Sequence, residues 1–538
     1  MKLNYRRTIC VGFAFFLITA FWQAYDSIIP KILTDKFGMS QTWSGVIMAL
    51  DNVLALFLLP LFGALSDKSK SKHGRRTPYI VAGTVAAAAA FFALSFADGM
   101  QLTNISAVSD INSAASLETL YEYDYSTVVK TPDGDEFVVT EIFTKEDFLN
   151  ITSSEDCAAT LNEDGTYSVA TWDTSEHTSE DSVSPYTQFV VPLRQAYAWE
   201  MTLKSPVTLV FFIVLLLLCL LSMATFRSPA VALMPDVTIK PLRSKGNAVI
   251  NLMGTVGGII VLVLGVIFGT GKTENALMSY TGFFACISGI MLIALGLFII
   301  TVNEPKFVRE MHEESRKYGI DVEDNSESAD NTKSHKLSKS ELTSLILILA
   351  SVVLWFFGYN AVTSKYSVYA GSVLGLDYNM TLIIAQAAAI VSYIPVGIIS
   401  SKVGRKRVIQ AGIIMLAVAF FAASFMREGS SAIVLNVLFS LAGIGWASIN
   451  VNSFPMVVEL SKNSDVGKYT GFYYTASMAA QTIMPIFSGV FLDIKMTTLF
   501  PYATIFVVLS FVTISLVKHG DSKPDAAGSA LESFSDME

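Results

Sequence analysis

Apolar residues along this chain come in long uninterrupted blocks, separated by short polar segments. Twelve such blocks recur from one end to the other. A helix of about 20 apolar residues crosses the roughly 30 Å hydrocarbon core of a bilayer. The blocks lie at 8–30, 43–65, 78–97, 205–226, 247–269, 279–301, 342–362, 379–399, 408–426, 432–455, 468–492 and 498–517. The pattern therefore predicts an all-α polytopic membrane protein with 12 transmembrane helices.

Composition supports this interpretation and excludes several functions. Of 538 residues, 52% are hydrophobic and 15% are charged, whereas soluble domains carry roughly 25% charged residues. The first block follows Arg6 and Arg7 but is too long for a signal peptide and lacks a cleavage site, so we interpret it as a retained span. We find no Walker A motif, nucleophile elbow or metal-ligand spacing, and the net charge is −9. We therefore expect no enzyme activity, no metal, no cofactor and no nucleic-acid partner.

The basic residues predict the orientation. Both tails and the loops near 66–77, 227–246, 303–340, 400–408 and 458–468 together hold 27 of the 37 Lys and Arg residues. Positive charge next to a span resists translocation, so the more basic side faces the cytoplasm. We expect a multi-pass protein of the cell membrane with both termini cytoplasmic and residues 98–204 extracytoplasmic.

An internal repeat divides the spans into two halves. The chain reads "GALSDKSKSKHGRR" from residue 63 and "GIISSKVGRKR" from 397, "YD" at 25 and "YN" at 359, and "PAVALMPD" from 229 and "PMVVEL" from 455. The first two pairs are 334 residues apart (397 − 63 and 359 − 25), but the third pair is only 226 apart (455 − 229). The drop of about a hundred residues indicates two six-span halves, the first interrupted by an insertion.

The insertion is predicted to be a small acidic ectodomain. Residues 98–204 contain 20 Asp and Glu against four Lys and Arg. Alternating apolar and polar residues flank Asp133–Gly134 and Asp164–Gly165, which predicts two hairpins in a β-rich unit. It could be a cap, a binding surface for an unknown partner, a ligand-collecting surface or an ornamental insertion without a function of its own. The expected division is 1–97 (spans 1–3), 98–204 (insertion), 205–302 (spans 4–6), 303–340 (cytoplasmic linker, a flexible tether), 341–518 (spans 7–12) and 519–538 (flexible cytoplasmic tail).

Three segments resemble one known family. They are "GALSDKSKSKHGRRTPYI" at 63–80, "FRSPAVALMPDVTIKPLRSKGNAVINLMGTVGGII" at 226–260 and "GWASINVNSFPMVVELSKNSDVGKYTGFYYTASMAAQTIMPIFSG" at 445–489. They are similar to the sucrose/proton symporter branch of the major facilitator superfamily, which is related to the glycoside–pentoside–hexuronide cation symporters. The resemblance implies the major facilitator fold with the substrate site between the halves. It also implies symport of a sugar, most simply a disaccharide such as sucrose or maltose, by alternating access in a monomer.

The coupling cation is expected to be a proton rather than Na⁺, although both remain possible. Plant sucrose carriers have an acidic residue and an arginine in the fourth span, at positions that we align with the apolar Leu220 and Val231. The coupling group must then lie elsewhere or the substrate must differ. Asp51 lies roughly 12 Å into the second span, and an intramembrane carboxylate is a functional candidate by default. Asp26, in the outer quarter of the first span, is the second candidate.

Hydrogen-bonding and aromatic side chains near the midplane are candidates for sugar binding. They are Trp22, Gln23, Tyr25, Asn52, Asn247 and Asn251 in the first half, and Tyr359, Asn360, Trp446, Asn450, Asn452, Tyr473, Tyr474 and Gln481 in the second. The alternative is that such amides only bond neighbouring helices, each contributing about 0.6 kcal/mol. Lys365, at the outer end of the seventh span, is interpreted as an interfacial lysine.

Charged residues at the cytoplasmic helix ends are candidates for a gate. They are Asp67, Arg75, Arg76, Asp236, Arg243, Arg405, Glu459 and Lys468. We expect Asp67 to pair with Arg75 or Arg76, Asp236 with Arg243, and Glu459 with Lys468; the basic loop could instead anchor in lipid headgroups. Two other functions remain open for the whole chain, a nontransporting sugar receptor or sensor and an exporter of small amphipathic compounds.

Overall fold

The computed structural model describes residues 3–110, 113–153, 157–171, 182–239, 242–318, 338–460 and 466–521. Eleven of its helices are long and apolar enough to cross a membrane, and a further helix carries a shorter apolar segment, Tyr378–Tyr393. Apolar blocks become helices because a backbone in hydrocarbon must satisfy its hydrogen bonds within its own segment. The predicted polytopic all-α fold is confirmed.

Six long helices form each half. Those of the first half are α1 (Tyr5–Lys31), α2 (Gln41–Asp67), α3 (Thr77–Asn104), α8 (Val207–Val237), α9 (Arg243–Phe268) and α10 (Thr281–Thr301). Those of the second half are α12 (Lys339–Tyr369), α13 (Tyr378–Val403), α14 (Arg405–Ala423), α15 (Ala432–Val458), α16 (Val466–Ile494) and α17 (Leu499–Ser515).

The two halves are packed alike. In the first half α1 contacts α9 and α10, α3 contacts α8 and α10, and α2 contacts α8; the equivalent helices of the second half make the same contacts. Each half has its own hydrophobic core. The leading helix of each half ends in a π-helical turn, Ile32–Lys36 after α1 and Ala370–Leu374 after α12. The sequence repeat therefore corresponds to a repeat in three dimensions.

The insertion forms a third unit with a separate core. The two predicted hairpins are present: β1 (Val129–Lys130) pairs with β2 (Glu136–Phe137), and β3 (Cys157–Leu161) pairs with β4 (Tyr167–Thr171) and β5 (Ser182–Val183). Gly134 and Gly165 turn the hairpins with φ of 92° and 86°, where glycine has no Cβ to clash. Short helices that the pattern did not predict accompany these strands: α4 (Ala114–Glu122), α5 (Val139–Ile142), α6 (Lys145–Leu149) and α7 (Val191–Lys204).

The linker between the halves begins with a helix, which corrects the expectation of a flexible tether there. Helix α11 (Glu304–Lys317) lies on the end of the first half that is opposite to the insertion. Arg7 of α1 bonds to Glu314 at 3.2 Å and lies 3.6 Å from Glu310. The predictions of a flexible tether and a flexible tail also concern residues 319–337 and 522–538, which lie outside the described part of the structure.

Glu304 caps helix α3 from the linker. Its carboxylate accepts hydrogen bonds from the backbone N–H groups of Arg75, Arg76 and Thr77 and from the Thr77 hydroxyl, at 2.8–3.1 Å. The first N–H groups of a helix have no acceptor within the helix. The Glu304 carboxylate supplies that acceptor.

We expect Glu304→Gln to lower the free energy of unfolding by about 1–3 kcal/mol, because buried N–H groups lose a charged acceptor. The measurement is thermal unfolding of the purified protein in detergent. Glu313→Gln, on the exposed side of α11, is the control and is expected to leave the midpoint unchanged. Equal midpoints for both variants would rule out the capping role.

Candidate functional site

Three charged side chains meet inside the first half. Asp26 of α1, Asp51 of α2 and Arg227 of α8 lie close enough to interact electrostatically, each with the other two. We call them the acidic cluster. With all three ionised the cluster carries one uncompensated negative charge. In a membrane-spanning region such a charge is costly unless it is paired, hydrated or neutralised.

Asp26 and Asp51 lie at the same depth. We call the end of the bundle that carries the insertion the outer end. Because the π-helical turn extends α1 to Lys36, Asp26 lies ten residues from the outer end of its helix (36 − 26), and Asp51 lies ten residues from the outer start of α2 (51 − 41). Ten residues of helix span about 15 Å, half the thickness of the hydrocarbon core. The two carboxylates are therefore at similar distances from the outer ends of their helices.

Arg227 belongs to the acidic cluster, although the sequence analysis did not single it out. The fourth apolar block was predicted to end at residue 226, with a loop near 227–246, but α8 continues through both of its prolines to Val237. The fourth helix therefore does carry an arginine, four residues before Val231. The apolar residues that continue after Pro229 were the signal that could have placed Arg227 inside the helix.

Several predicted binding residues surround the acidic cluster. The Arg227 guanidinium lies 5.2 Å from the centre of the Trp22 ring, within range of a cation–π interaction. Asn52 donates a hydrogen bond to Asp51 Oδ1 at 2.8 Å. Among the described residues, Trp22 Nε1 and the Tyr25 hydroxyl have no hydrogen-bond partner. The Asp26 side chain is accessible to solvent although it lies deep within the protein. This combination is expected for a group that faces an internal cavity.

The second half presents a neutral aromatic cluster at the related position. Tyr359 of α12 stacks in parallel on Trp446 of α15, with ring centres 3.7 Å apart, and Phe356 meets the Trp446 ring edge-on. Tyr393 of α13 is hydrogen-bonded to Asn450. Tyr359 corresponds in the repeat to Tyr25, and α1 contacts α12. The acidic and aromatic clusters therefore belong to symmetry-related sides of one central space.

A pair of glutamines joins the halves close to the acidic cluster. Gln386 of α13 donates a hydrogen bond to Gln23 Oε1 at 2.7 Å, and Gln23 donates to Ser27 at 3.1 Å. Gln23 was a predicted binding residue, whereas Gln386 was missed, because a single amide in an apolar block does not reveal its partner.

Several of the other predicted binding residues make contacts within their own half. Asn452 is buried and donates to Ser448 of its own helix, Gln481 donates to Ser477, and Tyr473 is buried against Ser453. Asn360 is partly buried, whereas Asn251 and Tyr474 are exposed. The side chain of Asn247 lies outside the described part of the structure.

The halves close on each other at the outer ends. Asp493 of α16 accepts hydrogen bonds from the backbone N–H groups of Gln41 and Thr42 at 2.5 and 2.9 Å, so it caps α2 across the boundary between the halves. Lys365 donates to the Gln41 carbonyl at 2.9 Å. This lysine is fully buried, which corrects its interpretation as interfacial.

The insertion adds contacts across the same boundary. The tip of the β1–β2 hairpin reaches the turn between α16 and α17, where Asp133 lies 3.1 Å from Lys495 Nζ and the Pro132 carbonyl accepts from Met496 N–H at 2.8 Å. Thr187 of the insertion donates to Glu428, in the turn between α14 and α15. The insertion thus belongs to the first half by sequence and also contacts the second half.

At the opposite, inner ends the described ion pairs lie within each half. Arg76 bonds to Asp67 at 2.5 Å and to Asp236 at 2.9 Å, Arg75 lies 3.2 Å from Asp236, and Arg405 lies 3.2 Å from Glu459. Asp236 and Glu459 thus have partners other than those predicted for them, and the side chains of Arg243 and Lys468 lie outside the described part.

The burial of α2 differs between its two ends. The outer part of the helix, from Gln41 to Ala49, is largely buried, whereas Phe57 towards the inner end is 68% exposed. The described hydrogen bonds between the halves lie towards the outer end, where the structure is closed.

Two similar six-helix halves around a central polar space, closed at one end, define a multi-pass membrane carrier. Family models agree: the major facilitator superfamily model matches residues 195–393 and 378–534, and the model described as "MFS/sugar transport protein" matches residues 10–121. The chain belongs to the major facilitator superfamily.

Individual proteins resemble parts of the chain or its fold. It is 39% identical over 65 residues to the sucrose transport protein SUC4 of Arabidopsis thaliana, covering 12% of each chain. It is 31% identical over 64 residues to the putative glycoside/cation symporter YagG of Escherichia coli, covering 12% of this chain and 14% of that one. The chain thus matches only a small part of these relatives' lengths. The fold is similar to the inward-open xylose transporter XylE of E. coli, with a TM-score of 0.54, 14% identity and 99% of each chain covered.

Proposed function

We propose that the protein is a cation-coupled sugar symporter that works by alternating access. The observation that carries this proposal is the acidic cluster, in which two carboxylates at similar depth lie near one arginine inside the first half. Binding of one cation makes the cluster neutral. The conformational change of alternating access then costs less electrostatic free energy. A proton is the favoured cation, bound by Asp26, since Asp51 already accepts a hydrogen bond from Asn52.

The asymmetry of the central space favours a neutral, hydroxyl-rich substrate. The described charged groups are on the side of the first half, whereas the second half offers Tyr359, Tyr393, Trp446 and Asn450. Ring faces suit the apolar side of a pyranose, and amides both donate to and accept from hydroxyls. The matches to a sucrose transport protein and a glycoside/cation symporter agree with a disaccharide such as sucrose or maltose.

Alternating access requires the outer contacts to break while the inner ends close. We infer that Asp67, Arg75, Arg76, Asp236, Arg405 and Glu459 hold the inner ends of each half in shape during this movement. With the basic loops cytoplasmic, the inner end faces the cytoplasm and the insertion lies outside the cell.

The test is uptake of labelled disaccharides into proteoliposomes with an imposed proton or sodium gradient. We expect accumulation above the external concentration with the proton gradient. If the protein bound sugar but did not move it under either gradient, the receptor function would replace the symporter.

The aromatic cluster gives a separate prediction. Replacing Trp446 with Ala is expected to weaken sugar binding by about tenfold, because an aromatic face contributes roughly 1.4 kcal/mol to such a contact. Binding is measured by isothermal titration of the purified protein. Trp43→Ala, at an exposed position near the outer end of α2, is the control and is expected to bind as wild type. Unchanged affinity in Trp446→Ala would remove this cluster from the substrate site.

A further inference from the structure

A small cavity lies beneath the insertion, away from the central space. Its wall combines Arg194 and Gln195 of the insertion, Lys31, Asp35 and Thr273 of the first half, and Ser372 of the second half. It has room for about one water-sized particle. Because all three parts of the protein contribute to the wall, the cavity is complete only when the outer ends are closed.

Hydrogen-bond donors without acceptors line this cavity. Arg194 is 4% exposed. Its Nη1 donates to the Tyr186 hydroxyl at 2.6 Å, but among the described residues its Nε and Nη2 have no partner. The Thr273 hydroxyl also has none there. Lys31, 2% exposed, donates to the Thr270 carbonyl at 3.2 Å. Buried donors without acceptors are costly, and most costly when they are charged.

The charges of the wall favour an anion. Lys31 and Arg194 are cationic and Asp35 is anionic, so the wall carries one net positive charge. Asp35 is already engaged, since it accepts a hydrogen bond from Gln195 at 3.0 Å. Asp110 attracts Arg194 and Asp377 attracts Lys31, but neither carboxylate lines the cavity. The nearby Lys36 is paired with Asp98. Burial lowers the pKa of the Arg194 guanidinium because it penalises the charged form. A bound anion would offset that penalty.

We propose that this cavity is a halide site, occupied by chloride when the outer ends are closed. A single-atom anion matches the space, accepts from several donors at once and balances the charge of the wall. Because the ion binds only the closed arrangement, chloride stabilises that state by mass action. The site lies apart from the central space, so its occupancy can be measured without transport.

The experiment is thermal unfolding of the full-length protein in detergent, with sodium gluconate replaced stepwise by sodium chloride or bromide at constant ionic strength. We expect the midpoint to rise saturably with either halide. Arg194→Gln should raise the half-saturating halide concentration about tenfold or more, and Thr273→Val about fivefold. Arg427→Gln, which alters an exposed arginine at the outer end, should respond as wild type.

A midpoint that is equal in gluconate and chloride, or an Arg194→Gln variant that responds like wild type, would overturn the proposal. If Arg194→Gln does not fold, Thr273→Val carries the same test. Crystals grown in bromide give an independent reading, since a bound bromide produces an anomalous peak beside Arg194. Water alone in that position would also overturn the halide assignment.

Discussion

Asp26→Asn is expected to abolish sugar accumulation driven by a proton gradient while leaving exchange of labelled for unlabelled sugar. With Asn at this position, Asp51 and Arg227 balance each other, and the cluster no longer needs a cation before the halves move. Driven uptake should fall about tenfold or more, the loss expected when an interaction of roughly 1.5–3 kcal/mol with a charged group is removed. Both activities are measured in the same proteoliposomes.

Asp51→Asn is expected to act in the same direction, because it also leaves one carboxylate and one arginine. Glu274→Gln, at an exposed position in the outer loop between α9 and α10, is the control and should retain driven uptake. Full accumulation in both aspartate variants would refute coupling through this cluster.

Arg227 provides a charge-balance test of the same idea. Arg227→Gln leaves two carboxylates facing each other without a cation, so we expect a lower folded yield and little uptake. Adding Asp51→Asn returns the cluster to a single negative charge. The double variant should therefore recover part of the folded yield and of the driven uptake. No recovery would indicate that Arg227 acts by its shape or its stacking on Trp22 rather than by its charge.

Asp493→Ala is expected to open the outer end. The variant removes two charge-assisted hydrogen bonds to the start of α2, each contributing about 1.5–3 kcal/mol, so the closed population should fall by roughly tenfold or more. Spin labels at the exposed positions Lys272 and Arg427, one in each half, report the change as a longer distance component in pulsed electron resonance. The labels are introduced in a background without the four native cysteines.

The matched control for this measurement is Glu118→Gln. Glu118 pairs with Lys145, and both residues lie on the exposed surface of the insertion. It should reproduce the wild-type distance distribution. If Asp493→Ala also reproduced it, the outer closure would be held by the insertion contacts at Lys495, Met496 and Glu428 instead.

Much of the architecture could be predicted from residue order because its physical cause is local. Apolar blocks of membrane length have no stable alternative to helix in a bilayer, and the shared spacing of the two halves located the insertion. The Asp133–Gly134 and Asp164–Gly165 turns predicted their hairpins because their backbone demands are met within a few residues. Asp51 was found for the same reason, since a carboxylate inside an apolar block is visible without its neighbours.

Contacts between distant segments were decided by the tertiary structure alone. Arg227 is inside a helix because α8 continues past Pro229. Only the packing of α1, α2 and α8 brings Asp26, Asp51 and Arg227 near one another. Gln386, Glu304 and Asp493 each complete a hydrogen bond whose other partner lies hundreds of residues away. A pattern of hydrophobicity records which residues leave water, whereas the partners of the buried polar groups depend on how the helices are packed.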